Sequence, residues 1–434
     1  MKFYFTNIVK SFFVCLLFTA CSPEKPKYSV FQGDLFDDTH LHEIHINFAS
    51  DNFWDTLVLN KKLKDSLEVN TYHKGNVVID GTELKDVGLR FKGESSYDFT
   101  KGEKKSFKLN LNCFTKKQNY QGIARFNLNN NYKDPTLMRE KLTLEYMLEA
   151  GLPAPKSAYT KVFINGEYWG VYLLVEDIGK AFLKRNFGNA KGNLYIGEPN
   201  GTLELKENKL DYQRNYRKKN NKKANEWSDL ENFISLINKA IDDSTHLADL
   251  DSTFALDNCF KTWAINNLLV NVDAYNMLYP HNYYLYFDSS SAKVNWINYD
   301  YNYSYAAWNP KYTFNEVVNF PITYANSSYP LANLCLNKNS SLQKRYLKLL
   351  SDLSDICLKE EKLTAQIKRY QSLIKEAVYL DDKKEYSNEE FDQNCSTTFG
   401  DKNDPGAYIP GLVEFVKLRK TAVQQQLTRY KVLN

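Results

Sequence analysis

The chain has 434 residues, of which 43% are hydrophobic and 25% charged. This balance is typical of a folded globular protein with two lobes or domains, and it excludes a disordered or fibrous protein. The net charge is only +4, from 56 basic and 52 acidic residues. Composition therefore does not favour nucleic acid as a partner, and we expect none.

The N-terminus has the pattern of an export signal. Residues 11–20, SFFVCLLFTA, form an apolar stretch of signal-peptide length that is too short to span a membrane. The junction at Cys21 resembles a bacterial lipoprotein signal, in which this cysteine carries the lipid; a secretory peptide with an incidental cysteine is the alternative. We expect a signal peptide over 1–20, a lipid anchor and tether over 21–39, and a location in the bacterial cell envelope, on the periplasmic face or at the cell surface.

Histidine and cysteine patterns do not predict a metal site. The remaining cysteines are scattered and include no CxxC pair, so no disulfide framework or zinc site is indicated. His40, His42 and His45 lie in a segment that alternates like a strand. Because His45 points to the opposite face from the other two, we do not expect the three to converge on one metal ion.

From about residue 40 the pattern predicts strands and tight turns. Asp80-Gly81 and Asn165-Gly166 each lie between two apolar runs, and both dipeptides favour two-residue hairpin turns. A helix is predicted over 135–150, with Asp134 as its N-cap and Gly151 after its C-terminus. The first part of the chain is therefore rich in antiparallel strands.

The rest of the chain has mostly helical patterns. A polar segment at 206–226 is predicted to be an exposed loop, and one further hairpin is predicted over 282–300. Helices are predicted over 227–241, 254–270, 340–378 and 410–430. This order favours an α+β fold in two lobes.

Basic residues flank a Gly-Ser-Ser turn between two predicted strands. Arg90 precedes the turn in RFKGESS, and Lys105 and Lys108 follow it in KKSFK. Cations and backbone N–H groups in this arrangement can bind phosphate. Glu176 ends a long apolar strand, where a buried carboxylate needs a partner or a ligand.

Two carboxylates are expected at one end of the 282–300 hairpin. Asp273 follows the predicted helix, Asp300 ends the return strand, and Asn282 begins the hairpin. Together they could hold Mg²⁺ and orient a hydroxyl group for proton removal. Aspartates at such positions also serve as plain caps, which is the alternative.

Five motifs in order give this sequence a family resemblance. The runs GLRFKGESS, KKSFKLNL, REKLTLEYMLEAGLPAP, VFINGEYWGVYLLVEDI and NVDAY…HNYYLY…VNWINYDYNYSY resemble the spore coat protein H (CotH) kinase family over about residues 40–305. The resemblance implies an atypical protein-kinase-like, two-lobed α+β fold, with an antiparallel β-rich N-terminal part and a helix-rich C-terminal part. We expect this domain over 40–340, with lobes at about 40–180 and 181–340, and a helical extension of the same domain over 341–434.

The resemblance also implies an ATP-dependent phosphoryl transfer to Ser or Thr hydroxyl groups of a protein substrate. Asp273 matches the family's catalytic aspartate, and Asp300 matches its ligand for Mg²⁺ or Mn²⁺, assisted by Asn282. The residues expected around the nucleotide are Lys105, Lys108 and Arg90 at the phosphates, Glu176 lining the site, and Tyr172 and Trp296 as stacking surfaces for adenine.

Two features leave the activity open. Asn302 stands where the family usually has a second acidic residue, and ATP is scarce outside the bacterial cytoplasm. The alternative is a catalytically weak or inactive surface module that binds a glycan or a partner protein. A carbohydrate hydrolase that uses Asp273 and Asp300 as acid and base is a third possibility, supported by the two carboxylates alone.

Overall fold

A computed structural model describes residues 28–67, 71–224 and 226–432. The predicted signal peptide and Cys21 lie outside these residues. The strands are β1 (His42–Asn47), β2 (His73–Ile79), β3 (Thr82–Phe91), β4 (Phe107–Asn110), β5 (Arg125–Asn129), β6 (Ser157–Ile164), β7 (Glu167–Glu176), β8 (Asn193–Gly197), β9 (Tyr216–Lys218), β10 (Tyr283–Asp288), β11 (Lys293–Asn298), β12 (Phe399–Gly400) and β13 (Tyr408–Ile409).

The helices are α1 (Phe53–Leu67), α2 (Ser95–Phe99), α3 (Arg139–Glu149), α4 (Lys180–Phe187), α5 (Lys209–Asn215), α6 (Ser228–Asp242), α7 (Leu247–Thr253), α8 (Leu256–Leu268), α9 (Phe314–Val318), α10 (Pro330–Asn333), α11 (Ser340–Cys357), α12 (Glu360–Tyr379), α13 (Asn388–Asn394) and α14 (Leu412–Arg429). Short 3₁₀ helices occupy Lys222–Ala224 and Ser244–His246, and Leu334–Lys338 forms a π-helix.

The first seven strands close into a barrel in the order β1-β2-β3-β4-β5-β7-β6. All neighbours are antiparallel except β1 and β6, which pair in parallel and close the barrel. Both predicted hairpin turns are confirmed, because Asp80-Gly81 joins β2 to β3 and Asn165-Gly166 joins β6 to β7. All four turn residues have positive φ, as a type I′ turn requires.

Alternation along the barrel strands separates an apolar interior from a more polar outer surface. Side chains such as Leu89, Leu109 and Phe126 fill the interior. The intervening residues Arg90 and Lys108 are direct cross-strand partners on the outer surface. One side of this outer surface faces the helical part of the chain. The barrel residues of the candidate site described below lie on that side.

A second antiparallel sheet, β11-β10-β8-β9, lies in the C-terminal part. One of its faces packs into a large core with helices that include α6, α8, α11 and α14. Its other face packs against α4 through Leu194, Ile196 and Tyr284. The segment 206–226, predicted as an exposed loop, contains α5 and the edge strand β9. Its many Lys and Arg residues have no periodic pattern that would have predicted either element.

The predicted helix at 135–150 begins later than expected. Leu137 has a left-handed φ of 59°, which a helix cannot contain, so α3 begins at Arg139. The carboxylate of Asp134 instead accepts hydrogen bonds from the backbone N–H groups of Thr136 and Arg139, at 3.0 and 2.7 Å. The predicted end is confirmed, since Gly151 follows the helix with φ 73°.

The α+β class, the β-rich first part and the helix-rich second part are confirmed. The sequence did not predict that the first sheet closes into a seven-stranded barrel. Closure depends on the parallel pairing of β1 with β6, whose partners are more than a hundred residues apart. Among the described residues, no helix is long and apolar enough to cross a membrane.

Candidate functional site

Asp273 lies in the loop between α8 and β10, and its carboxylate is held from two sides. The Nε2–H of His281 donates to Oδ1 at 2.6 Å. The side-chain amide of Asn282 donates to Oδ2 at 2.8 Å and to the backbone carbonyl of Asp273 at 2.9 Å. Val270, at the start of this loop, has a φ of 48°, a costly conformation for a β-branched residue. The loop is therefore held in one defined conformation.

Asp300 lies two residues beyond β11, at the end of the hairpin where Asn282 precedes β10. Both residues have left-handed backbone conformations, with φ of 66° and 61°. Burial raises the pKa of Asp300, and the charges of Lys92, Asp273 and His281 also act on it. The structure therefore brings Asp273, Asn282 and Asp300 together, as the sequence predicts.

A lysine and a glutamate complete this group from other elements. Lys92 follows β3, and its ammonium donates to Oδ1 of Asn129 at 2.6 Å. The amide of Asn129 in turn donates to Oε2 of Glu140, on the first turn of α3, at 2.7 Å. Both Lys92 and Glu140 interact electrostatically with Asp300. Asn129 thus links a barrel cation to a helix carboxylate beside Asp300.

The carboxylates of this group carry uncompensated negative charge. Burial and the nearby charge of Asp300 raise the pKa of Glu140 to about 7, although Lys92 opposes this shift. Burial also raises the pKa of Asp300, with Lys92 opposing and Asp273 adding to the rise. Burial lowers the pKa of the Lys92 ammonium, so this lysine is a weak counter-charge.

The donor set suits a hard divalent cation. Asp273, Asp300 and Glu140 offer carboxylate oxygens and Asn282 an amide oxygen, and oxygen ligands are those that Mg²⁺ and Mn²⁺ prefer. A cation would also offset the charge that raises the pKa of Glu140 and Asp300. The kinds of ligand present therefore suit such an ion, but among the described residues only His40, His42 and Asp80 have three ligand atoms within 4.8 Å of one another, so the carboxylates of this group would have to move closer together to share it.

Arg90 and Lys108 lie next to this group on the outer surface of the barrel. Each adds to the positive field that lowers the pKa of Lys92, after the larger effect of burial. Lys108 forms a buried ion pair with Asp177, just beyond β7. The basic residues on this surface thus continue from Lys92 through Arg90 to Lys108, which is paired with Asp177.

Lys105 and Glu176 have other partners. The ammonium of Lys105 donates to the backbone carbonyls of Tyr97 and Thr100, at 2.7 and 2.8 Å, and so supports the segment around α2. Glu176 accepts a hydrogen bond from Arg185 at 2.5 Å, which satisfies its buried carboxylate. The structure does not bring either residue to Asp273 and Asp300.

The two aromatic residues expected at adenine are buried in cores. Tyr172 lies inside the barrel, 6.2 Å between ring centroids from Phe107, and it is fully buried. Trp296 stacks on Tyr283 with 4.1 Å between ring centroids, and it is fully buried as well. Neither ring offers a face to a ligand in this structure, because core packing already occupies both.

His40 and His42 group with Asp80 rather than with His45. Their candidate ligand atoms lie within 4.8 Å of one another. His42 uses both ring nitrogens in hydrogen bonds, to Asp80 Oδ2 at 2.7 Å and to the backbone carbonyl of Asp37 at 3.1 Å. The pair of His42 and Asp80 thus connects β1 to the β2–β3 turn.

Sequence reasoning missed Lys92, Asn129, Glu140 and His281 as site residues. Lys92 lies two residues after Arg90, so strand alternation places both on one face, which was an available signal. Nothing local connects β3, β5 and α3, so the grouping with Asn129 and Glu140 required the folded chain.

Comparison with known proteins identifies the family of this chain. The sequence profile described as CotH kinase protein matches residues 89–423, which is most of the chain. The chain is also 26% identical, over 228 residues, to the inner spore coat protein H of Bacillus subtilis (strain 168), a match covering 51% of this chain and 59% of the relative. The matched part is thus less than two thirds of that relative. Because the sequence profile matches most of this chain, the chain belongs to the CotH kinase family.

Proposed function

We propose that this protein transfers the γ-phosphoryl group of ATP to Ser or Thr hydroxyl groups of a protein substrate. The observation that carries the proposal is the group formed by Asp273, Asp300, Glu140 and Lys92. Phosphoryl transfer requires carboxylates to hold a metal cation, a lysine to neutralise phosphate charge, and an oriented aspartate to accept the proton of the substrate hydroxyl group.

In this proposal Asp273 accepts the proton of the substrate hydroxyl group. The hydroxyl oxygen bonds to the γ-phosphorus while the bond from that phosphorus to the β–γ bridging oxygen breaks, and ADP leaves. His281 and Asn282 hold both oxygens of the Asp273 carboxylate, so its orientation is set before substrate arrives. Asp300, with Asn282 and Glu140, would hold Mg²⁺ or Mn²⁺, which neutralises phosphate charge when bound.

Lys92 is the favoured phosphate ligand, with Arg90 and Lys108 next to it. This assignment replaces Lys105, whose ammonium is used by backbone carbonyls. In this proposal Glu140 supplies a further carboxylate in place of the acidic residue that the family usually has at Asn302. The amide of Asn302 itself donates to the carbonyl of Tyr132 at 3.2 Å.

We further propose that Cys21 is lipidated and holds the protein on a membrane of the bacterial cell envelope. The spore coat relative agrees with a role in an outer cell layer. A surface module that binds a glycan or a partner protein remains the second candidate.

Labelled ATP tests the proposal directly. The purified full chain is incubated with [γ-³²P]ATP and Mg²⁺ or Mn²⁺, beside Asp273→Asn and Asp300→Asn, and protein-bound label is counted. Metal-dependent labelling that both variants lose supports phosphoryl transfer. No labelling and no thermal shift at millimolar ATP would reject it, and a glycan array would then test the binding module.

A further inference from the structure

Positive charge continues beyond Lys108, on the barrel and on the second sheet. Arg125 begins β5, Arg217 lies on β9, and Lys219 directly follows β9. The barrel contributes the first residue and the second sheet contributes the other two. We name Arg125, Arg217 and Lys219 the outer basic cluster.

Two of these cations, Arg125 and Lys219, lie with Lys108 around one buried carboxylate. Asp177 is already paired with Lys108, and its other oxygen lies 3.5 Å from Nε of Arg125. Burial opposes ionisation of Asp177, but the charges of Lys108, Lys219 and Arg125 hold its pKa well below the usual range. A single carboxylate thus faces several cations.

Lys219 is the cation without a dedicated partner. Arg217 is paired with Glu198 at 2.6 Å. Within the described part of the chain, the Lys219 ammonium has neither an ion pair nor a hydrogen bond, although it lies 5.8 Å from the ring centroid of Tyr284. Burial lowers the pKa of Lys219 to about 7; the charge of Asp177 opposes this shift, and Lys108, Arg217 and Arg125 add to it. Because one carboxylate faces several cations, a further anion beside Lys219 would stabilise the charged form of this lysine.

We propose that the outer basic cluster is a phosphate-binding subsite, separate from the group at Asp273 and Asp300. Arg125 from the barrel and Lys219 from the second sheet would both contact the phosphate, so both sheets take part in holding it. The proposal deepens the function given above and rests on it for the source of the phosphate. That source is the nucleotide's polyphosphate tail or a phosphorylated residue of the substrate.

Binding of inorganic tripolyphosphate to the full chain, without metal, tests the subsite by calorimetry. We expect Lys219→Met to weaken binding about tenfold, as expected when one charged contact is lost, and Arg125→Gln to weaken it several-fold. Lys417→Met, which removes an exposed lysine on α14, is the matched control and should bind like wild type. Equal affinity in Lys219→Met and wild type, or no binding to wild type, would overturn the proposal.

Two further ligands identify the source of the phosphate. If the nucleotide tail fills the subsite, Lys219→Met loses affinity for ATP but not for AMP. If the substrate fills it, the variant loses affinity for a phosphoserine peptide while ATP binding is unchanged. A variant that binds ATP and the phosphopeptide like wild type would contradict both.

The same proteins separate this proposal from the proposed function. Asp273→Asn should lose labelling from [γ-³²P]ATP while it binds tripolyphosphate like wild type. Tripolyphosphate binding that depends on Lys219, in a wild-type chain that never labels a substrate, would reject phosphoryl transfer and keep the subsite. Labelling with tripolyphosphate binding that ignores Lys219 would reject the subsite alone.

Discussion

The Nε2–H of His281 donates a hydrogen bond to Oδ1 of Asp273 across 2.6 Å. A carboxylate only accepts, so this nitrogen carries the proton. Burial lowers the pKa of His281, but the hydrogen bond to Asp273 and the charges of Asp273 and Asp300 outweigh it and raise the pKa above its usual value. His281 therefore positions the carboxylate that is proposed to accept the substrate proton.

Replacing His281 tests this positioning role. We expect His281→Ala to lower the rate of phosphoryl transfer about 10- to 100-fold with little change in ATP affinity, because a small displacement of a reacting group is costly. His281→Gln should recover part of the rate, since its side-chain amide can donate to Asp273. Labelled transfer at saturating ATP measures the rate.

His246→Ala, at a histidine in the 3₁₀ helix between α6 and α7, is the control for the His281 variants and should transfer like wild type. Unchanged transfer in His281→Ala would show that Asn282 alone positions Asp273.

Glu140 is expected to help hold the divalent cation. Glu140→Gln keeps the shape of the side chain but removes one charge from the group around Asp300. We therefore expect the Mg²⁺ concentration for half-maximal transfer to rise about 10-fold, within the range for loss of a supporting group at a metal site. Glu149→Gln, at the far end of the same helix and paired with Lys362, should leave the Mg²⁺ requirement unchanged. An equal rise in both variants would contradict this role.

The sequence was sufficient where a side chain's position follows from nearby residues. Asp300 and Asn282 lie at the same end of one hairpin, so the strand pairing predicted their proximity; the observed register pairs Tyr283 with Asn298. The turns at Asp80-Gly81 and Asn165-Gly166 were also predicted correctly, because each depends on two residues and the strands directly beside them.

The sequence was insufficient where distant elements meet. Glu140 on α3 reaches Lys92 through Asn129, and these residues belong to three separate elements. Tyr172 and Trp296 were chosen as stacking surfaces, but in a chain with 15% aromatic residues a sequence does not distinguish a buried ring from an exposed one. Tyr172 is buried because the barrel closes around it, and Trp296 is buried because it packs in the core that includes α8.

Gly170 is required by the way the C-terminal part attaches to the barrel. Asp381 pairs with Lys104 and accepts the backbone N–H of Val171 at 3.1 Å. Gly170 has φ 102°, and a Cβ there would overlap the Asp381 carboxylate. We expect Gly170→Ala to lower the free energy of unfolding by about 2–4 kcal/mol, from backbone strain together with loss of this buried ion pair.

Urea unfolding measures the effect at Gly170, and a second glycine provides the control. Gly166 also has positive φ, at 84°, but open space around its Cβ position. Gly166→Ala should therefore cost only the backbone strain, about 1 kcal/mol. Similar losses in the two variants would show that the contact with Asp381 adds nothing to the requirement for glycine.

The pKa of about 7 for Lys219 predicts a pH dependence of phosphate binding. At pH 6 the ammonium is mostly charged, and at pH 8.5 it is mostly neutral in the free protein, so tripolyphosphate affinity should fall several-fold between these values. The charged groups that face Lys219 are Asp177, Lys108, Arg217 and Arg125. Tripolyphosphate itself gains negative charge over this range, which would strengthen binding and so opposes the predicted fall.

Lys219→Met separates the two effects. In this variant the affinity should follow the charge of tripolyphosphate alone and stay level or rise between pH 6 and pH 8.5, whereas in wild type it should fall. Calorimetry at four pH values with both proteins gives the comparison. Parallel pH profiles in the two proteins would mean that Lys219 does not titrate in this range or does not contact the phosphate.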